Sequence, residues 1–368
     1  MSEIRLEVKD YHPKFVNVTD SKRYGIGLIG CGGIATGTHV PAYRKAGYSI
    51  VACCDIREEA ARGTAEKFGI PFWTTNVREL LEQDNVAIID MALHPQHRME
   101  VLEEIAKRPR PVLTQKPLHF DLGEAGRLAE FADRAGIVMG VNQQGRWAPA
   151  HRALRLLLDR GVIGELYSMQ NVKRTFQDQP GKWWTQMENC TIVDNGVHYM
   201  DLCRYFAASP AAGGKEWTRL HSTTAVVPGQ HAVSPMIYSM NVEFGETGGR
   251  GSLMANLHFN NITRAARSRS YTWSLDGTEG SMWASHDKVW IARVKEPNTI
   301  HEIALEGSWF PDAFIGPMGD LMNAIALSQP PSVTPKDNLN TVALTSAAVI
   351  SSREGRVVER TELLNDLR

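Results

Sequence analysis

The chain has 368 residues, with 40 Lys and Arg against 41 Asp and Glu, a formal net charge of −1 and 43% hydrophobic residues. At roughly 150 residues per domain this length fits two domains, and the near-neutral charge excludes a polyanion-coating surface, so no nucleic-acid partner is expected. No apolar run approaches the roughly 18 residues that span a bilayer, the opening MSEIRLEVKD has no apolar secretory core, and Cys31, Cys53, Cys54, Cys190 and Cys203 form no C-x-x-C pair; a cytoplasmic protein without a disulfide framework is the expectation.

Residues 1–23 read as an extension without helical periodicity. Between residues 24 and 141, short apolar runs alternate with helical stretches. YGIGLIG, SIVACCD, VAIIDMAL, PVLTQ and GIVMGVN are apolar on both faces, the pattern of parallel strands covered by helices on two sides. Helices are predicted over 57–68, 96–107 and 122–135. The last has Leu122, Ala125, Leu128, Ala129 and Ala132 at helical spacing. Asp121 and Glu124 predict a capping box at its start, and Gly136 its stop. Strand and helix in alternation imply right-handed βαβ units and a doubly wound sheet.

After residue 141 the texture changes. A helix is predicted over 150–159, ended by Gly161. Tyr238, Met240, Val242 and Phe244 alternate with polar residues, as do Leu253, Ala255, Leu257 and Phe259. YTWSL and KVWIARV continue the pattern on either side of the turn DGTEGS. Period-two alternation predicts strands with one packed face, so the second half reads as an α+β domain on a large, mainly antiparallel open sheet. The basic run Arg264, Arg267 and Arg269 reads as a solvated turn. The expected division is 1–23 extension, 24–145 nucleotide-binding domain and 146–368 substrate-binding and oligomerisation domain.

Three motifs carry chemistry. In GLIGCGGIATG, Gly30, Gly32 and Ala35 fit G-x-G-x-x-G/A between a strand and a helix. The first glycine permits a tight turn, the second a close approach to a pyrophosphate, and the small third residue allows helix–strand packing. Unpaired N–H groups at the helix start favour the phosphates. Asp55 ends the second strand, where a carboxylate binds ribose hydroxyls and repels a 2′-phosphate; this favours NAD over NADP, a preference that Arg57 nearby would soften. A glycine turn and a strand-terminal Asp also occur without a nucleotide, but strand, turn, helix and acid in register select the nucleotide reading. The second motif, Gln115, Lys116 and Pro117, follows a buried strand at the carboxyl edge, where open α/β sheets bind ligands. In the third, Asp194, His198 and Asp201 at i, i+4 and i+7 would share one helix face. A carboxylate one turn from a His orients the imidazole and stabilises its charged form. A divalent-ion reading, with Cys190 or Cys203 adding a thiolate, is available; such spacings are common without metal, and no metal is expected. An N-capping Asp beside a hydrogen-bonded His is the plainer alternative.

The Gly30–Ala35 turn, Asp55, the QKP tripeptide and the D-x-x-x-H-x-x-D run together resemble the glucose–fructose oxidoreductase / inositol dehydrogenase / MocA family. HPQHRMEVLEEIAKRPRPVLTQKPL is similar to the family's link from the fourth strand to its lysine tripeptide, GTEGSM to its glycine turn, and SSREGRVVE to its closing helix. The resemblance implies a Rossmann domain followed by an α/β domain whose open sheet is buried in a homodimer or homotetramer, with the closing helix packed back on the Rossmann domain. It implies NAD(P)-dependent oxidation of a secondary alcohol of a sugar, cyclitol or derivative. Lys116, Asp194 and His198 match the family's catalytic residues, and the Lys116–Pro117 bond is expected to be cis. Cofactor contacts are implied for Gly30, Gly32, Gly33, Ile34, Ala35, Asp55, Arg57, His94, Gln115 and Lys116. Substrate contacts are implied for His97, Asn142, Arg146, Trp147, Trp183 and Trp184 beside Asp194 and His198. The chain departs from the family in Gln115, where Glu is usual, in ENCTIVD, where a glycine-rich run is usual, and in the Trp183–Trp184 pair. An NAD-dependent glycosidase or epimerase-like enzyme with transient oxidation is the alternative activity, and a non-catalytic NAD-binding regulator the third.

Overall fold

The computed structural model describes residues 4–12, 15, 24–245 and 252–364. Most of the expected 1–23 extension lies outside the described residues; a short helix, Val8–Tyr11, falls within them. The chain divides into two compact units, one made of His12–Trp147 and Ser308–Leu339, the other of Met1–Tyr11, Ala148–Gly307 and Asn340–Arg368. This differs from a simple break at 145/146. The physical reason is the apolar helix Ile315–Leu327, whose Met318, Leu321 and Met322, with Phe314 before it, pack on Tyr24, Ile26, Tyr43, Ile88 and Leu113. Burying each such side chain stabilises by roughly 1.5–3 kcal/mol, enough to fix the segment's membership.

The first unit holds six parallel strands: β1 (Ile26–Ile29), β2 (Ile50–Cys54), β3 (Phe72–Thr74), β4 (Ile88–Met91), β5 (Val112–Gln115) and β6 (Met139–Asn142). Their order is β3-β2-β1-β4-β5-β6, a doubly wound sheet whose order reverses beside β1. Five of the strands are those predicted; β3 has only three residues, too few to show a period. The expected helices appear as Glu58–Phe68, Arg98–Lys107 behind a 3₁₀ turn Pro95–His97, and Leu122–Arg134. Asp121 caps the last by accepting the Glu124 N–H at 2.9 Å. The reciprocal half of the capping box is absent: the Asp121 N–H donates to His119 Nδ1 at 3.0 Å, and the Glu124 carboxylate pairs with Arg127 instead.

The second unit is built on nine strands: β7 (Leu166–Arg174), β8 (Glu216–Ala225), β9 (Ile237–Gly245), β10 (Leu253–Asn260), β11 (Ser270–Gly277), β12 (Gly280–Ala284), β13 (Lys288–Arg293), β14 (Ile300–Ala304) and β15 (Val358–Glu359). The order is β14-β13-β12-β11-β7-β10-β9-β8-β15. All pairs are antiparallel except β7 with β10. The predicted alternation holds, with Tyr238, Met240, Val242 and Phe244 and then Leu253, Ala255, Leu257 and Phe259 all buried. Helices Pro149–Asp159 and Val197–Ala207 pack on the buried face. The closing helix implied over 351–359 stops earlier: Pro335–Glu354 ends before Gly355, whose φ is +66°, and Val358–Glu359 extends the sheet beside β8. No helix among the described residues is long and apolar enough to cross a membrane.

Candidate functional site

In the parallel-sheet unit, candidate residues gather at the carboxyl ends of β1, β2, β4, β5 and β6. Gly30 sits at φ +97°, and a Cβ there would lie 2.7 Å from the Ala92 carbonyl oxygen, so the turn requires glycine. A Cβ on Gly32 or Gly33 meets nothing within 4 Å; their smallness opens space over the helix start rather than relieving an internal clash. Ile34 is partly exposed and Ala35 fully buried. The helix that begins here widens into a π segment, Ala35–His39, before continuing as Val40–Ala46. Asp55 faces the turn. Its Oδ2 accepts the Cys31 N–H at 2.9 Å, while Oδ1 accepts the Arg57 N–H at 3.0 Å and Nε–H at 3.3 Å. Oδ2 keeps a lone pair for a ribose hydroxyl, while the two on Oδ1 are taken by Arg57. Arg57 is itself mostly exposed beside that carboxylate. The Cys31 thiol is held below its usual range, chiefly by a hydrogen bond from Cys53.

At the ends of β4 and β5 the chain places His94, His97, Gln115 and Lys116. His94 is exposed, its Nδ1 lies 3.1 Å from Gln96 Oε1, and its ring edge meets Phe120; His97 is exposed beside Gln96. Gln115 is buried, with an Oε1 that has no hydrogen-bond partner, and Lys116 is half-buried before a cis bond to Pro117. Asn142 is in register with Gln115 on the adjacent strand and is also buried without amide partners. Arg146 lies 3.6 Å from Asp337 Oδ2. Trp147 packs against Phe15 and over Gly316, where a Cβ would collide with its ring, so packing accounts for this tryptophan.

Arg98, which belongs to none of the sequence motifs, is fully buried. Its guanidinium donates to the Leu93 carbonyl through Nε (3.1 Å) and Nη2 (2.8 Å), and through Nη1 to the carbonyls of Leu118 (3.0 Å) and Pro117. It thereby joins the end of β4 to the turn that carries Lys116. The available signal was a charge on the apolar phase of its helix, with Leu102 and Ile105 at i+4 and i+7.

In the mixed-sheet unit, Asp194 lies in a π-helical turn, Thr191–Gly196, that runs into helix Val197–Ala207 with His198 in its first turn. A regular α-helix through all three positions was expected; the wider turn changes the register. Asp194 is half-buried and His198 is 6% exposed. Asp201 belongs to a different network, accepting from Thr341 Oγ1 at 3.0 Å, which in turn accepts from Arg204, itself paired with Glu216. Asp201 is therefore structural. Lys173 likewise lies outside every motif. It is 3% exposed on β7, its ammonium donates to Asn195 Oδ1, and it sits 5.1 Å from the centre of the Tyr199 ring. Asn171 and Lys173 occupy the buried phase of β7, and a polar residue in a packed phase is the signal that would have found them. Trp183 is half-exposed, and Trp184 is fixed by Nε1 donating to the Gln177 carbonyl at 2.8 Å, the two rings meeting edge to face.

A glycine turn, a strand-terminal carboxylate and a lysine at the edge of a doubly wound parallel sheet define a dinucleotide-binding oxidoreductase fold. A family model described as "Oxidoreductase family, NAD-binding Rossmann fold" matches residues 24–143. The chain is similar to the D-apiose dehydrogenase of Paraburkholderia graminis, 26% identical over 93% of this chain and 91% of that protein. It is similar to the myo-inositol 2-dehydrogenase of Thermotoga maritima, 22% identical over 92% and 99% respectively. Its fold matches an oxidoreductase from Agrobacterium radiobacter solved in complex with NAD+, L-tartaric acid and magnesium, with TM-score 0.81, 21% identity and coverage of 93% of this chain and 100% of that one. Residues 24–143 thus match the oxidoreductase family's model, and over nearly its whole length the chain is similar to sugar and cyclitol dehydrogenases.

Proposed function

We propose that the protein is an NAD-dependent dehydrogenase oxidising one secondary alcohol of a sugar, cyclitol or sugar derivative. The observation that carries the reading is Lys116 at the carboxyl end of β5 in the same unit as the Gly30 turn and Asp55. Gly32 and Gly33 leave room for a pyrophosphate at the helix start, and Asp55 selects unphosphorylated ribose, which favours NAD. Bound nicotinamide supplies the hydride acceptor. The chain's own residues orient the alcohol and move its proton: Lys116 hydrogen-bonds the reacting hydroxyl, His198 takes the proton, and Asp194 orients His198 or a neighbouring hydroxyl. Trp183, half-exposed, offers an aromatic face to sugar C–H groups.

The outward face of the nine-stranded sheet carries Tyr167, Met254 and the stacked Trp283 and Trp290, which supports a homodimer or homotetramer formed through that sheet. The five buried thiols suit a reducing cytoplasm. The test is NAD+ reduction across a panel of sugars, cyclitols and sugar acids: one or more should yield net NADH. Transient oxidation without net NADH would replace the dehydrogenase reading by the glycosidase or epimerase one.

A further inference from the structure

The connection from β8 to β9, residues 226–236, is much longer than the roughly two to five residues that close a hairpin, and most of its bonds to the rest of its unit run to one segment. Asp178, 3% exposed, accepts the His231 N–H with both carboxylate oxygens (2.9 and 3.0 Å) and the Ala232 N–H with Oδ1 (2.9 Å). Further along, the Val233 N–H donates to the Thr185 carbonyl at 2.9 Å, and the Asn189 N–H donates to Ser234 Oγ at 2.8 Å. Thr191 Oγ1 then reaches Met236 Sδ at 3.6 Å. Inside the loop, Gln230 accepts the Val227 N–H and donates to the carbonyls of Ala232 and Ser234. Arg264, from the basic turn, holds the Pro228 carbonyl at 3.3 Å.

The loop is thus attached at successive points along 178–191, the stretch that carries Trp183 and Trp184 and ends where the π turn bearing Asp194 begins. A carboxylate taking backbone N–H bonds while nearly excluded from water is a strong and directional anchor. Asn189, at φ +55° without being glycine, is a strained position that the Ser234 bond helps to hold.

We infer that residues 226–236 are the substrate-specificity element of this protein and that Asp178 is the positioning residue that latches them. The latch sets where the Trp183–Trp184 pair and the Asp194 turn stand against the sugar. The inference rests on the dehydrogenase reading above for the nature of the substrate, whereas the latch itself does not.

The test is Asp178→Asn, which keeps the shape but leaves one neutral accepting oxygen where two charged ones held the loop's N–H groups. Amide hydrogen exchange at His231 and Ala232 should accelerate at least ~10-fold. KM for the sugar should rise at least ~10-fold while kcat changes less than about threefold and NADH affinity, measured by calorimetry, is unchanged. Faster exchange with unaltered KM overturns the specificity role alone, and unaltered exchange overturns the latch. A fall in kcat, KM quality and NADH affinity together reduces Asp178 to a structural residue and also overturns the inference. If Asp178→Asn does not fold, Ser234→Ala and Gln230→Ala loosen the same loop and carry the same predictions. A wild-type protein that reduces no NAD+ with any sugar removes the dehydrogenase reading and the specificity role with it, while the exchange result still reads the latch.

Discussion

The two sheets present chemistry in different ways. In the parallel sheet the candidate residues are the last residues of strands or the turns that follow them, so their positions are set by where an apolar run stops: Gly30 after β1, Asp55 after β2, Gln115 and Lys116 at the end of β5. In the mixed sheet they sit on a helix and a π turn laid on the sheet's buried face, so their register depends on tertiary packing. Strand ends are thus a local property and helix faces a collective one. Substitutions in the first unit should separate cleanly into effects on folding and on binding, and those in the second should mix the two.

The largest effect sharpens that contrast within the first unit. Arg98→Met removes a buried guanidinium and leaves the carbonyls of Leu93, Pro117 and Leu118 without their donor. It should cost about 3 kcal/mol or more in urea unfolding, and Lys116 should lose its place with it. Gly30→Ala follows, at about 2 kcal/mol or more, because the added methyl enters the Ala92 carbonyl at positive φ. Gly32→Ala is its counterpart: with nothing within 4 Å of the new Cβ, stability should change by less than about 0.5 kcal/mol, while NADH binding weakens at least ~10-fold by calorimetry. Equal losses of stability in the two glycine variants would break the distinction between a turn glycine and a ligand-space glycine.

Asp55→Ala should raise the NADP-to-NAD ratio of kcat/KM by roughly 10-fold or more, since the charge that repels a 2′-phosphate is gone and Arg57 remains. The smallest effect concerns pH. His119 has its pKa lowered from 6.5, first by burial and then by the charge of Arg98, and its neutral Nδ1 accepts the Asp121 N–H. The unfolded chain therefore binds this proton more readily than the folded one below pH 6.5, and the stability present above that pH is lost as pH falls toward the lower folded value. The thermal midpoint should drop between about pH 7 and about pH 5.5 more in the wild type than in His119→Asn; parallel curves would show that His119 contributes nothing to the pH dependence.

The same contrast explains what the sequence made legible. Apolar runs, turn glycines and Asp121 declare five parallel strands and their helices because each is determined by neighbours a few residues away. β8 was not legible because a bulge between Trp217 and Arg219 breaks its period. β7 was not, because Asn171 and Lys173 occupy its packed phase. Asp194, His198 and Asp201 are legible as a motif, yet the π turn and the Thr341 bond separate Asp201 from the other two. Arg98 shows in the spacing only as a charge on its helix's apolar phase, and the distant backbone groups that it and Asp178 hold, Pro117 and Leu118 for one and His231 and Ala232 for the other, leave no trace there.

The most direct measurement is sugar-dependent NADH formation by Lys116→Met and His198→Ala beside the wild type, with NADH affinity determined in parallel. Turnover should fall at least ~10²-fold in each variant, with NADH bound by His198→Ala as by the wild type. Wild-type turnover in both variants would contradict the roles of Lys116 and His198.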